Sequence, residues 1–258
     1  MEPLAKAKLQ DGKKILGTFF SMGNPSAMEC LGYTGMDFVI IDTEHGPFDT
    51  ETAMSLVRAA ESVGLSPFMR IADVSHKEIQ RAVDMGVQGL IVPCLRSLGD
   101  MKKLVDLAKF APIGNRGFIK GRGSGFGYQN WASGSVAEYM AASNDRLLVL
   151  PQCETLECYE DIEQVLAIAG IDGIFIGPFD LSISLGMPGD FENPEFKAAV
   201  ARILEACKNA GKYSLIFSTA INQAREYLDQ GFDGVAHSID FTVFTEAYKT
   251  AMENIRSR

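Results

Sequence analysis

The chain has 258 residues, of which 47% are hydrophobic and 22% are charged, so it can build a core and is not intrinsically disordered. Its 24 lysines and arginines stand against 33 aspartates and glutamates, a formal net charge of −9. That charge would repel phosphate and argues against a nucleic-acid-binding surface. The length allows two domains, or one α/β barrel of roughly 250 residues.

The cysteines and the N-terminus predict a cytoplasmic protein. Five cysteines without a C-x-x-C pair argue against a disulfide framework and against a thiolate zinc site. The first residues lack the apolar stretch of a secretory signal, and no apolar run approaches the ~18 residues that cross a bilayer. We therefore expect reduced thiols and no contact with a membrane.

Eight short apolar segments along the chain predict eight strands. Their apolar runs are continuous rather than alternating, as in strands buried on both faces of a parallel sheet. In four of them, a glycine that could end a helix is followed by a small or polar step and then by the apolar run. The segments span residues 15–22, 35–42, 66–72, 86–93, 146–154, 170–177, 212–218 and 231–238.

Helical patterns lie between these strands. Asp49 can cap a helix, and Ser75 opens a capping box before a helix that Gly86 would end. Asn193 and the proline after it open another helix, which Gly211 would end. Eight alternating strand–helix units predict a (β/α)₈ TIM barrel as a single domain over residues 1–258.

The alternative fold is a doubly wound open sheet. It is weakened by the absence of a G-x-G-x-x-G motif after the first strand. Residues 110–145 do not follow the strand–helix rhythm, because they hold many glycines and the only tryptophan. This segment is either a flexible surface excursion, or a lid or subunit contact.

Polar residues gather where the predicted strands end. Because catalytic groups of a barrel sit at the carboxyl ends of its strands, these side chains would converge on one mouth. They are Asp42, Glu44, His45, Arg70, Gln152, Glu154 and Asp180.

Glu154 and Asp180 are one strand–helix unit apart and indicate a metal site. Two facing carboxylates repel each other unless they share a cation or a proton. Mg²⁺ commonly takes one or two protein carboxylates and completes its shell with water and substrate oxygens. Oxygen ligands favour Mg²⁺ or Mn²⁺, with Co²⁺ as a further option. The alternative is that each carboxylate caps a helix or pairs with an arginine.

His45 is one of three histidines and is the candidate base. Asp42 precedes it by three residues, and a carboxylate can fix the tautomer of an imidazole and raise its basicity. His76 falls in the first turn of an exposed helix, and His237 falls within the last strand, so we expect a solvated and a structural role for them.

Arg70 follows the third strand, where its guanidinium could bind a carboxylate or an enolate oxygen. A salt bridge to Glu44 is the alternative. No lysine stands at the carboxyl end of a predicted strand, which disfavours a Schiff-base mechanism and leaves metal-assisted chemistry.

These residues occur in segments that together resemble the HpcH/HpaI class II aldolases. The segments are FVIIDTEHGPFD (38–49), PFMRI (67–71), PQCET (151–155) and GIDGIFIGPFDLSISLG (170–186), and the resemblance runs in order over roughly residues 4–255. It implies a TIM barrel that cleaves a 4-hydroxy-2-oxo acid reversibly into pyruvate, or a close 2-oxo acid, and an aldehyde.

The resemblance also implies roles for individual residues. Glu154 and Asp180 would bind the metal, and His45, oriented by Asp42, would be the base. Arg70 would bind the 2-oxo acid and its enolate.

Further implied roles concern the substrate and neighbouring subunits. Gln152 and the backbone at Phe179 would line the pyruvate site, while Phe19 stands where relatives can gate the aldehyde pocket. Asp84 would reach the active site of a neighbouring subunit. The family forms hexamers that exchange a C-terminal helix, here residues 241–256.

The Gly-rich segment 114–127 departs from the family pattern. Arg116 and Gly117 match it, but Lys120 and Arg122 are unexpected. If this loop approaches the active site, those two cations would alter aldehyde selection or favour an acidic acceptor. Two other functions stay open: a related acyl-CoA lyase or citrate lyase-like enzyme, and a barrel that binds a 2-oxo acid without catalysis.

Overall fold

In the computed structural model, which describes residues 4–257, eight parallel strands close into a barrel in chain order. The strands are β1 (Ile15–Phe20), β2 (Phe38–Asp42), β3 (Ser66–Arg70), β4 (Gly89–Val92), β5 (Leu148–Cys153), β6 (Gly173–Ile176), β7 (Tyr213–Ser218) and β8 (Gly234–Ile239). β8 pairs with β1 and closes the sheet. The TIM barrel is confirmed, and the open sheet is wrong.

Helices connect successive strands, and their ends follow the predicted caps. Asp49, Ser75 and Asn193 each accept a backbone N–H of the first turn of the following helix, while Gly86 and Gly211 end helices in the left-handed conformation. None of the described helices is both long and apolar enough to cross a membrane. The helices are α1 (Leu4–Gln10), α2 (Pro25–Leu31), α3 (Thr50–Ser62), α4 (His76–Met85), α5 (Leu98–Ala108), α6 (Val136–Arg146), α7 (Leu156–Glu160), α8 (Ile162–Leu166), α9 (Pro178–Ser184), α10 (Pro194–Ala210), α11 (Ile221–Gln230) and α12 (Asp240–Arg256).

Phenylalanines fill much of the barrel interior, and glycines make room for two of them. A Cβ on Gly89 would lie 2.5 Å from the ring of Phe68, and one on Gly17 would lie 2.7 Å from the ring of Phe38. The two rings stack with centroids 4.8 Å apart. Phe38 and Gly89 are the first residues of β2 and β4, so these side chains fill the amino-terminal end of the barrel. Space for a ligand lies at the opposite end, where the strands finish. The interior phenylalanines are Phe19, Phe38, Phe68, Phe175 and Phe217.

Residues 110–145 are folded and attached to α4. Arg116 pairs with Asp84 at 3.0 Å, and Arg122 donates to the carbonyl of Met85 at 3.0 Å and bonds the carboxylate of Glu61. Lys120 donates to the Ala132 carbonyl at 2.8 Å. Because α4 ends at Met85, just before β4 begins, the segment lies at the amino ends of the strands. It is not a lid over this chain's own mouth.

Candidate active site

The ends of β2 and β3 place an arginine beside two carboxylates. Asp42 and Arg70 are register partners in the sheet. Arg70 donates to Asp42 through Nε at 2.9 Å and through Nη2 at 2.7 Å, and its Nη1 lies 3.2 Å from Glu44 Oε2. The Arg70 side chain is only 12% exposed. Such a two-point pair fixes the plane of the guanidinium.

Electrostatics in this group keep Arg70 charged. Burial alone would lower the pKa of Arg70, but the hydrogen bonds and charge of Asp42, with the charges of Glu44 and Glu154, raise it above its ordinary value. Burial raises the pKa of Glu44, and the positive charge of Arg70 partly offsets that effect. A permanently charged, oriented guanidinium therefore faces the mouth of the barrel.

The turn after β2 carries His45. Asp42 Oδ1 accepts the backbone N–H groups of Glu44 at 3.2 Å and of His45 at 3.4 Å. The His45 side chain is 72% exposed, and its Nε2 lies 3.9 Å from Glu44 Oε2. The predicted orientation of the imidazole by Asp42 is wrong, because the Asp42 carboxylate is taken up by Arg70 and the backbone of the turn. Asp42 shapes the turn, and Glu44 is the carboxylate near the ring.

Glu154 is buried just beyond the end of β5, and both of its oxygens are held. Oε1 accepts the backbone N–H of Cys94 at 2.7 Å, and Oε2 accepts from the amide of Gln152. The amide oxygen of Gln152 is buried and has no partner. A Cβ on Gly177 would lie 2.8 Å from Glu154 Oε2, so the glycine keeps open a space beside this carboxylate.

The donor set fits a hard divalent cation that is completed by substrate or water. Asp180 lies in the first turn of α9 and lines the same cavity as Gln152 and Gly177. Over residues 4–257, His, Cys, Asp and Glu side chains form no group of three or more placed to hold one ion. Two carboxylates with an unpartnered amide oxygen beside an open space match the sparse protein contribution that Mg²⁺ commonly accepts.

A cavity of about 360 Å³ opens at the mouth of the barrel. One side is polar, with His45, Arg70, Gln152 and Asp180, and the other side is aromatic. Phe179 also lines the cavity. The remaining lining residues that bear on function are Phe19, Phe175, Phe217, Thr242 and Glu246.

Four of these lining residues were not predicted as site residues: Phe175, Phe217, Thr242 and Glu246. Phe175 and Phe217 stand near the carboxyl ends of apolar strands, where period-2 spacing could have identified them as facing the mouth. Glu246 lies two turns into α12, and no strand-end argument reaches it.

Other predicted residues lie away from this chain's cavity. Asp84 is held by Arg116 and by the Gln80 amide at 2.7 Å, at the opposite end of the barrel. Its predicted role in a neighbouring subunit stays a prediction. Lys120 bonds the carbonyl of Ala132, whereas Arg122 bonds the carbonyl of Met85 and the carboxylate of Glu61, so neither cation reaches this chain's own mouth. Their predicted effect on aldehyde selection depends on an approach to the active site and stays a prediction. His76 is exposed as predicted.

Cys94 holds an unusual backbone conformation that aims its N–H at Glu154. Its φ is +56°, in the left-handed region that favours glycine.

We expect Cys94→Gly to keep the Glu154 contact and to keep activity within about twofold of the wild type. Cys94→Val should lower activity about tenfold or more, because β-branched residues resist this conformation. Steady-state rates and Mn²⁺ titration of both variants check this. Equal behaviour of the two variants would contradict it.

Comparison with known proteins identifies the family. The HpcH/HpaI aldolase/citrate lyase profile matches residues 16–247. The chain belongs to this family. The 4-hydroxy-2-oxo-heptane-1,7-dioate aldolase of Shigella flexneri is 31% identical over 248 residues, which cover 96% of this chain and 91% of that relative. The hydroxypyruvate/pyruvate aldolase of Paraburkholderia phytofirmans is 29% identical over 98% of this chain and 97% of that relative.

A solved member of the family shares the fold almost throughout. The HpcH/HpaI aldolase from Desulfitobacterium hafniense has a TM-score of 0.90 and 29% identity, over 98% of this chain and 96% of that one. The predicted family membership and the predicted class of enzyme, a carbon–carbon lyase of the aldolase type, are confirmed.

Proposed function

We propose that this family member cleaves a 4-hydroxy-2-oxo acid reversibly into pyruvate, or a close 2-oxo acid, and an aldehyde, with the help of a divalent metal. The observation that carries the proposal is one cavity lined by an oriented Arg70, an exposed His45 and Asp180, with the Glu154 carboxylate against its lining residues Gln152 and Gly177. The aldolase relatives of similar length support the same reaction class.

Glu154 and Asp180 are the proposed metal-binding residues, with Mg²⁺ or Mn²⁺ preferred for oxygen donors and Co²⁺ as a further option. A bound divalent cation would act as a Lewis acid toward the carboxylate and keto oxygens of the 2-oxo acid. Cys94 and Gln152 hold the Glu154 carboxylate from both sides, so its position is set before any ligand arrives.

The other polar residues have separate tasks. Arg70 binds the anionic oxygens of the 2-oxo acid and stabilises the enolate charge that develops when the C3–C4 bond breaks. Asp42 keeps the guanidinium in place for this. His45 takes the proton of the C4 hydroxyl as the aldehyde leaves. Gln152 and the backbone at Phe179 line the pyruvate end of the cavity.

Release of pyruvate from 4-hydroxy-2-oxo acids, followed with a lactate dehydrogenase coupling, tests this function. We expect His45→Asn to lower kcat by about a hundredfold or more, as for loss of a general base. The matched control is His76→Asn, because His76 is exposed and lies outside the cavity. Turnover confined to CoA thioesters would instead favour an acyl-CoA or citrate lyase-like enzyme, and binding without any turnover would favour a non-catalytic barrel.

We also propose that the chain forms a homo-oligomer, a hexamer by the family resemblance, through exchange of α12. Asp240 is the only buried residue of this 17-residue helix, among those whose side chains are described. Large apolar side chains on it are exposed, Phe244 by 55% and Tyr248 by 61%. Large exposed apolar side chains along a helix of this length indicate a surface that another subunit covers.

We expect a Phe244→Glu and Tyr248→Glu double variant to lower the molar mass in solution, because charges on an apolar interface disrupt it. Size exclusion with light scattering measures the mass. Glu253→Gln on the same helix serves as the control. A monomeric wild-type protein, or an unchanged mass in the double variant, would contradict the exchange of α12.

A further inference from the structure

The last strand of the barrel contains a bulge just before α12. The register between β8 and β1 slips by one residue after Ala236, so that two residues of β8 stand opposite Thr18. One of them, Ser238, has a φ of +59°, in the left-handed region. Thr18 Oγ1 donates to the carbonyl of Ser238 at 3.1 Å and holds the bulge in place. Because a bulge bends the strand that carries it, the chain changes direction immediately before the helix begins.

A buried carboxylate clamps the first residue of the helix. Asp240 is only 6% exposed. Its Oδ1 accepts the backbone N–H groups of Phe241 at 2.9 Å and of Ser21 at 3.0 Å, and its Oδ2 accepts that of Met22 at 2.8 Å. Ser21 and Met22 directly follow β1. The carboxylate therefore ties the start of α12 to the barrel of its own chain.

Beyond this clamp the helix is exposed. From Phe241 to Arg256 every residue is exposed except Thr242, which is half-buried. A helix that covered its own barrel would bury an apolar stripe, and that packing would set its direction. Here the direction is set by residues 237–240, which we call the elbow. The 17 residues of α12 extend from it as an arm about 25 Å long.

We propose that the elbow, with Asp240 as its positioning residue, aims the arm at a second copy of this chain before the two copies meet. The inference rests on the proposed exchange of α12 and adds what sets the direction of the exchanged helix. An arm that is already held in its bound direction loses less conformational freedom on association than a mobile one. The bonds of the clamp join residues of one chain, so they are compatible with the assembled state.

The molar mass in a dilution series, followed by light scattering, tests the proposal. We expect Asp240→Ala to raise the concentration at which the oligomer dissociates by about tenfold or more, because three backbone N–H groups lose their acceptor and the arm becomes mobile. Asp233→Ala is the matched control. Asp233 accepts the backbone N–H of Ser214 at 2.8 Å near the amino end of β7, so its loss should lower the unfolding temperature and leave the dissociation concentration unchanged.

Substitutions of Ser238 test the elbow with Asp240 intact. Glycine adopts the left-handed conformation without strain, so Ser238→Gly should keep the dissociation concentration within about twofold of the wild type. Valine resists this conformation, so Ser238→Val should raise that concentration about as much as Asp240→Ala does. Thermal unfolding of both variants reports whether the barrel itself is still folded.

The outcomes separate this inference from the exchange on which it rests. An unchanged dissociation concentration in Asp240→Ala, or an equal rise in Asp233→Ala, would overturn the inference alone. A wild-type protein that is monomeric throughout the dilution series would overturn the exchange of α12, and the inference with it.

Discussion

Replacing Glu154 with glutamine is expected to lower pyruvate release by about a thousandfold and to abolish Mn²⁺ binding in the micromolar range. Glutamine has nearly the same shape, so the fold should be kept. It removes the charge beside the open space at Gly177 and places an amide where the Gln152 amide now donates to Oε2. Two amide donors facing each other would also push the side chain away from its position.

Mn²⁺ binding followed by electron paramagnetic resonance measures the loss without relying on turnover. Glu157→Gln is the matched control, because Glu157 lies nearby on α7 but pairs only loosely with Arg96, at 3.4 Å on the surface. If Glu154→Gln bound Mn²⁺ as tightly as the wild type, Glu154 would not be a metal ligand.

Arg70→Lys is expected to lower kcat/KM for the 2-oxo acid by about a hundredfold or more, although the charge is kept. Lysine cannot reproduce the two-point bond to Asp42 and the contact to Glu44 at the same time, so the cation loses its fixed direction. Truncation to alanine would leave the buried Asp42 charge unpaired and should also destabilise the protein, by about 3–5 kcal/mol.

Steady-state kinetics with a matched thermal-unfolding curve separate the two effects. We expect Arg70→Lys to unfold within a few degrees of the wild type while its kcat/KM falls. The equivalent change Arg202→Lys, on the exposed α10–α8 contact with Glu163, should leave kcat/KM unchanged. Full activity in Arg70→Lys would mean that Arg70 serves only as a structural ion pair.

The fold and the centre of the site follow from short-range features of the sequence. A glycine that ends a helix, followed by a continuous apolar run, predicted strands β2, β4, β6 and β8, because a buried parallel strand leaves no polar alternation. Strand-end residues then had to meet at one mouth, since parallel strands of a closed barrel finish together. This predicted that Arg70 and Asp42 share the mouth, and the structure shows that the two are register partners in the sheet.

Contacts that depend on side-chain direction could not be predicted in this way. Spacing suggested that Asp42 orients the ring of His45, whereas Arg70 competes for the same carboxylate with two hydrogen bonds. From the sequence, Lys120 and Arg122 look like unpaired cations. Their partners, the carbonyls of Ala132 and Met85 and the carboxylate of Glu61, lie 12 or more positions away in the chain. Glu246 reaches the mouth only because α12 begins there.

The most direct test of the metal-dependent aldolase is pyruvate release by the wild-type protein after chelation, followed by addition of Mg²⁺, Mn²⁺ or Co²⁺. We predict that the chelated protein loses at least about 99% of its activity and that one of these ions restores it, because substrate polarisation depends on the cation. Full activity in excess chelator, with no response to any of the three ions, would contradict the account.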